Sequence, residues 1–547
     1  MREAASHGRS TGIGGALQVA MLFLIMFAYA ADPPPAVNEA HYLVKAKNFW
    51  DSSYVADDLF ASSGKAHTTF YFVFGWLTKF VSLEATAWIG RVFGWLLLAA
   101  GLRACCIAIG IRRSWSMAAV LVVWTVAIEY GNLAGEWVIG GIEAKVPAYG
   151  FALIGLSHVI RGRWSSSWVW FGVASAFHVL TGGWCVVAAM VAFFVSRRLR
   201  LSSEDERGPD SLFSVGLFVG GAISLLGLLP AAMQTLGADP ESGALAARIY
   251  SYVRIRHHLL PGDFPWHWYA RHSLVVVSFL STFRLATRND AVVRLQWFAV
   301  GAALIAFVGL GVGLLPAVLP DLAAKLLRYY WFRLSDAMLP LAVTLILISR
   351  LNRSQQSASD ARPSLAPVFA GLLVAFSAIV FGVSVYQRTG QGVPPSARHR
   401  LLGIRRGDDS EAQKRAFQDW LAVCAWIKMA MPEDEVLLTP RHQQTFKWYA
   451  ERAEVVNWKD VPQDAKSLIE WHDRFREVFP ESVGRVRLRS TRVPISYELL
   501  RGYRDRYGAR FLVVDTRVAT SNLPLVKIYP AGEQENQTYH VYELPAD

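Results

Sequence analysis

The chain has 547 residues, of which 53% are hydrophobic and 18% charged, with a mean hydropathy of +0.27. Soluble proteins carry about 25% charged residues, so this composition excludes a purely soluble globule and predicts a polytopic membrane protein with room for one soluble domain. The net charge of +12 is not a nucleic-acid footprint, because in the apolar part the basic residues fall in loops between apolar runs, where they set topology.

The N-terminus carries Arg2 and Arg9, an apolar run from Ile13 to Phe27, then Ala28-Tyr29-Ala30. The triplet resembles a peptidase site. An uncut first span is expected, because the residues that follow fit an architecture that keeps it. Apolar runs long enough to cross or nearly cross a bilayer fall near 13–31, 86–110, 114–130, 147–160, 165–178, 181–196, 212–233, 272–284, 295–316, 334–349 and 365–386. About eleven spans are therefore expected, several of them short.

The run 68–81 is apolar too, and arginines decide its place. If it lies on the membrane surface, Arg112-Arg113, Arg161/Arg163, Arg197-Arg198/Arg200, Arg284/Arg288/Arg294 and Arg350/Arg353 all fall inside, as the positive-inside rule requires. If it crosses, all of them move outside. The expectation is a multi-pass protein of a bacterial inner membrane, with its N-terminus cytoplasmic and residues 32–85 forming an outer amphipathic loop. The loops 201–211 and 351–363 read as plain solvated turns.

From about 408 the composition changes. Helix-like runs (410–430, 442–452, 463–478, 495–507) alternate with short strands at 435–438, 454–456, 511–514, 525–529 and 540–543. That alternation predicts a small α/β domain. The expected organisation is a mainly α transmembrane bundle over 1–386, a linker over 387–407 and an extracytoplasmic α/β domain over 408–547. No glycine-rich phosphate loop follows any strand. Cys105, Cys106 and Cys185 lie in apolar runs and Cys424 stands alone, so neither a disulfide framework nor a metal spacing is present.

The polar residues of interest lie in the loops assigned outside. Glu39 follows the first span directly, and a carboxylate there is costly unless it is used. It is the candidate general base, with Asp51, Asp57 and Asp58 as weaker alternatives. A helix-start role, or an ion pair with Lys45 or Lys47, stays open for it. Arg254, Arg256, His257 and His258 crowd into five residues and form the candidate anion clamp, beside contact with lipid head groups as the plainer reading. Gly140-Gly141-Ile142-Glu143-Ala144-Lys145 offers Glu143 and Lys145 to the site or to each other. Arg333 ends an aromatic run at the mouth of a span, and His178 reads as structural.

Asn38-Glu39-Ala40-His41-Tyr42 resembles the Asp-Glu-x-x-Tyr motif of GT-C membrane glycosyltransferases, among them the aminoarabinose transferases and protein O-mannosyltransferases. His67-Thr68-Thr69-Phe70-Tyr71 resembles their basic-Pro-Pro-Leu-Tyr segment, and Arg91 the arginine that opens their second span. His-His-Leu-x-Pro and Gly-Gly-x-Glu also resemble patterns of an uncharacterised family of bacterial polytopic membrane proteins. The GT-C resemblance implies inverting transfer of a sugar from a polyprenyl-phosphate donor to an acceptor on the outer face. It implies Glu39 as base and Arg254, Arg256, His257, His258, His67, Arg333 and Lys145 around the donor phosphate. Membrane lipid is the further partner, the acceptor stays open, and neither cofactor nor metal is expected. Asn38 stands where the first aspartate is usual, and two threonines replace the prolines. That departure favours the alternative, a non-catalytic membrane protein that keeps the scaffold and binds a partner through its C-terminal domain. A transporter fits less well, since no charged pair sits at mid-span.

Overall fold

In a computed structural model, the structure describes residues 2–36, 38–202, 211–285, 289–354, 366–389, 392–397, 410–479, 497–517, 523–532 and 535–546. Arg288 and most of the 201–211, 351–363 and 387–407 segments lie outside the described residues.

Helix α1 (Arg2–Ala30) leads to an excursion of three short helices, called the outer excursion after the side expected for it, α2 (Glu39–Trp50), α3 (Leu59–Ser62) and α4 (Thr68–Gly75). At about 1.5 Å per residue, α4 is too short to cross a bilayer. The bundle continues with α5 (Leu83–Ala108), α6 (Ser114–Gly131), α7 (Lys145–Arg161), α8 (Trp164–Phe177), α9 (Val179–Leu199) and α10 (Val215–Leu236). The helices α11 (Pro240–Arg248), α12 (Arg256–Leu259), α13 (Trp266–Leu285), α14 (Asp290–Val312), α15 (Pro320–Leu327), α16 (Arg333–Ser354) and α17 (Ala366–Thr389) complete it. All eleven apolar runs are helical. Among the described residues, eight helices are long and apolar enough to span a membrane, so the protein is a multi-pass membrane protein. The runs in α7, α8 and α13 are the remaining three, being shorter or more polar.

Close packing builds the bundle. A Cβ on Gly172 of α8 would stand 2.2 Å from the Gly220 carbonyl oxygen of α10, so only glycine lets these backbones meet, as small residues do between membrane helices. The loops expected inside gather at one end. Arg294 donates to the Ile160 carbonyl (3.0 Å) and Gln18 to the Arg112 carbonyl (2.8 Å). The outer excursion and the 132–145 and 249–265 segments gather at the other.

The C-terminal region holds α18 (Ser410–Ala430), α19 (Phe446–Tyr449), α20 (Ala465–Val478) and α21 (Tyr497–Tyr507). With them lie β1 (Val436–Leu438), β2 (Ala453–Glu454), β3 (Ala509–Asp515), β4 (Lys527–Tyr529) and β5 (Tyr539–Glu543). The strands form one mixed sheet in the order β2-β1-β3-β5-β4. β1 runs parallel to β2 and β3, while β5 is antiparallel to β3 and β4. In α20 the residues Ala465, Leu468, Trp471, Phe475 and Val478 are buried, the helical stripe that packs on a sheet. The helix expected over 442–452 shrinks to α19, because Glu451 takes φ 51° and stops it.

This domain sits firmly on the outer excursion. Lys447, 2% exposed, pairs with Asp58 (3.2 Å), Glu454 (2.5 Å) and Asp460 (2.7 Å). His41 of α2 meets Asp460 at 3.1 Å, and the Tyr54 hydroxyl donates to the Lys447 carbonyl (2.6 Å). Burial raises Glu454 to about 7 despite Lys447. Burial also pushes Asp460 upward, but Lys447 and His41 hold it below the usual carboxylate range.

Candidate functional site

A cavity of about 460 Å³ lies between the outer end of the bundle and the C-terminal domain. Its wall is one chain of polar contacts. The Asn38 amide donates to Glu143 Oε2 (2.7 Å), and Glu143 Oε1 pairs with Lys145 Nζ (3.2 Å). Lys145 pairs with Glu136 Oε1 (2.6 Å), and Glu136 Oε2 with Arg333 Nε (2.8 Å). Arg333 Nη1 meets His178 Nε2 at 2.7 Å. His178 Nδ1 accepts from the Thr181 amide (3.2 Å) as the N-cap of α9, and the Thr181 hydroxyl lies 3.1 Å from the same nitrogen. All of these side chains except Thr181 line the cavity.

Local structure holds the wall in place. Asn38 is the N-cap of α2 but makes no side-chain cap bond, so its amide is free to reach Glu143. Lys145 and Arg333 begin α7 and α16. The loop carrying Glu136 is tied down by Asp336 of α16, which accepts from the Leu133 and Ala134 amides (2.8 and 2.9 Å). Gly135 in that loop has φ +75°, and a Cβ there would lie 2.9 Å from His258. Tyr330 lines the cavity at φ 50°, a conformation rare for a bulky residue and found where structure enforces it.

The expected site residues part company here. Glu39 is 1% exposed and does not line the cavity. Its oxygens accept from Arg91 Nε and Nη2 (both 2.6 Å), from the Ala36 amide (2.6 Å) and from the Ile142 amide (2.7 Å). A Cβ on Gly141 would stand 2.7 Å from its carboxyl carbon, so backbone closes over it. A carboxylate with every lone pair engaged and no open face is placed as an anchor. Lys45 and Lys47 are not its partners: Lys45 donates to the Ser63 hydroxyl (2.7 Å) and Lys47 faces Glu451.

Arg254 lines the cavity, whereas Arg256 points away and pairs with Asp263 at the surface. His257 and His258 line it too, but not as cations. Burial and the neighbouring His258 hold His257 down to about 3, and burial holds His258 down to about 4. His258 Nδ1 faces the Ala134 carbonyl (2.6 Å), which leaves Nε2 an acceptor. His67 stands behind the wall with its ring on His178 (centroids 5.3 Å apart), held to about 3 by burial and by Arg333. Asp58 caps α3 and pairs with Lys447, and Asp57 is exposed. Neither lines the cavity. Among the described residues, no three His, Cys, Asp or Glu converge on a metal site.

Sequence reasoning missed Trp458, Lys459 and Gln463, which close the cavity from the C-terminal domain. They lie some 200 residues beyond Arg254, with no motif to flag them.

Residues 418–478 match a family described as a domain of unknown function (DUF6798). No curated protein matches. The chain is similar in structure to ArnT from Cupriavidus metallidurans bound to undecaprenyl phosphate, with 14% identity over 97% of this chain and 98% of that one and a TM-score of 0.45. It is also similar to the oligosaccharyltransferase AglB from Archaeoglobus fulgidus in complex with an inhibitory peptide and a dolichol-phosphate. There the identity is 13% over 92% of this chain and 69% of that one, and the TM-score is 0.41. A further Archaeoglobus fulgidus oligosaccharyltransferase, in complex with zinc and sulfate, gives 10%, 91%, 68% and 0.42 in the same order. These are likenesses in the path of the chain, and the functional reading rests on the cavity itself.

Proposed function

We propose that the protein is a membrane glycosyltransferase that moves a sugar from a polyprenyl-phosphate donor to an acceptor on the extracytoplasmic face. The proposed membrane is a bacterial inner one, with the N-terminus cytoplasmic and the C-terminal domain outside, as the arginine distribution favours. The observation that carries the reading is the cavity wall: a carboxylate at one end, an arginine at the other, and the bundle's outer end beneath.

Inverting transfer needs a base and a phosphate clamp on opposite sides of the anomeric carbon. Glu143 and Arg333 stand at the two ends of the wall, separated by Lys145 and Glu136, which suits that arrangement. In the proposed reaction Glu143 takes the proton as the acceptor hydroxyl attacks the anomeric carbon. The sugar–phosphate bond breaks and its electron pair leaves with the lipid phosphate, whose charge Arg333 stabilises. Asn38 orients Glu143 through its amide. The acid missing from position 38 is thus supplied by position 143. His258 Nε2 is an acceptor for a sugar hydroxyl.

The test is turnover by purified full-length protein of polyprenyl-phosphate sugars carrying a radiolabelled sugar. Release of labelled product or free sugar in the presence of a hydroxyl acceptor pool is expected. No binding and no consumption of any lipid-phosphate sugar would reject the reading and favour the non-catalytic scaffold.

A further inference from the structure

The wall of the cavity is balanced in charge, since Glu136 and Glu143 face Lys145 and Arg333. Its roof is not. Arg254, 8% exposed, ends a π-helical turn over Ile249–Arg254, a distortion frequent at functional sites. Its guanidinium lies 5.1 Å over the Trp458 ring, with Nε donating to the Trp458 carbonyl (2.8 Å) and Nη2 to the Lys459 carbonyl (3.4 Å). The side chain of Lys459 lines the cavity beside it. Among the described residues, no carboxylate forms an ion pair with either cation. Burial brings Lys459 down to about 8, with the Arg254 charge adding to the effect and Glu143 and Asp460 opposing it.

Gln463 also lines this cavity, and its side-chain oxygen is buried with no hydrogen-bond partner, an acceptor left for a hydroxyl of a ligand. Two desolvated cations side by side are costly without a counter-charge in contact, and Glu143 and Asp460 act on them only from beyond ion-pair distance. The backbone carbonyls that hold Arg254 carry only partial charge.

We infer that Arg254 and Lys459 in the roof bind a second anionic group, distinct from the donor phosphate held at the wall. The inference rests on the lipid-phosphate reading for the first anion only. The second anion is either the second phosphate of a lipid diphosphate donor or an acidic group on the acceptor. Because Lys459 and Gln463 come from the C-terminal domain, that domain sets which ligand the cavity accepts.

Binding to the full chain in detergent, followed by native mass spectrometry, tests this with four probes: undecaprenyl phosphate, undecaprenyl diphosphate, glucose and glucuronic acid. Wild type should prefer the diphosphate over the monophosphate if the anion is on the donor, or glucuronic acid over glucose if it is on the acceptor. The expected preference is about tenfold, the effect of one charged hydrogen bond. Lys459→Gln should abolish that preference and leave undecaprenyl phosphate binding within about twofold, while Lys459→Arg should retain it. The inference is overturned if neither pair shows a preference. It is overturned equally if the preference survives Lys459→Gln, or if that variant weakens the monophosphate as much as Arg333→Gln does. Failure of wild type to bind undecaprenyl phosphate would reject the lipid-donor reading alone, since a Lys459-dependent preference for glucuronic acid would still be read.

Discussion

Glu39 and Glu143 lie close together at the outer end of the bundle, yet their surroundings differ in kind. Glu39 is closed: Arg91 binds it with two parallel bonds, two backbone amides complete its shell, and it does not line the cavity. Glu143 is open: one oxygen takes an amide from Asn38, the other a longer contact from Lys145, and the side chain lines the cavity. A carboxylate already saturated by a guanidinium holds structure together, while one only partly satisfied beside a cavity can accept a proton. The difference teaches that a motif residue can lie beside a cavity and still be closed off from it.

The comparison can be broken most severely at Arg91. Arg91→Met leaves Glu39 buried without its partner, which costs about 3–5 kcal/mol. Thermal unfolding in detergent should show a large loss, and an unchanged midpoint would mean that Glu39 is not an anchor. At the open cluster, Arg333→Gln should lower turnover by about 10²–10³-fold, the effect of one preorganised charge donor, with little change in melting. A loss confined to stability would make Arg333 part of the scaffold.

A third prediction concerns the seam between α2 and the C-terminal domain. Folding raises Glu454 from 4.5 to about 7, so the folded state holds its proton more tightly. The stability this group contributes is full below pH 4.5 and is lost as pH rises through about 7. His41 works the other way, because burial lowers it from 6.5 and favours the folded state as pH rises toward that value. Unfolding midpoints measured from pH 5 to 8 should therefore change slope in Glu454→Gln, which removes the falling component. Identical profiles for the two proteins would show that Glu454 does not titrate in this range. The smallest effect is expected at Arg256, which pairs with Asp263 at the surface. Arg256→Ala should cost no more than about 1 kcal/mol and leave turnover unchanged.

Much of the architecture was legible in the sequence, because the length of the apolar runs is written locally. The α/β alternation after residue 408 was legible for the same reason. The site was only partly legible. Residues 38–42, 143–145, 254–258 and 333 lie in segments that meet at the cavity, but partners are set by packing. Nothing in the chain says that Glu39 meets Arg91, 52 residues away, and not Lys45 or Lys47. Arg254 and Arg256 read alike in sequence, yet Arg254 ends the π-helical turn and Arg256 begins α12, with Ile255 out of helical conformation between them, so one enters the cavity and the other meets water. His257 and His258 read as cations until burial is known. Lys459 carries no local signal at all. Its role depends on how the C-terminal domain docks, through the buried cluster around Lys447.

One paired measurement tests the central claim: melting temperature and turnover of a polyprenyl-phosphate sugar, for Glu143→Gln and Glu39→Gln side by side. Both substitutions keep shape and remove charge. Glu143→Gln should melt like wild type and lose about 10²–10⁴-fold in turnover, as removal of a general base does. Glu39→Gln should melt markedly lower, while the protein that remains folded keeps turnover within a few fold. If Glu39→Gln melts like wild type and abolishes turnover while Glu143→Gln retains it, the roles of the two acids are reversed and the account fails at its centre.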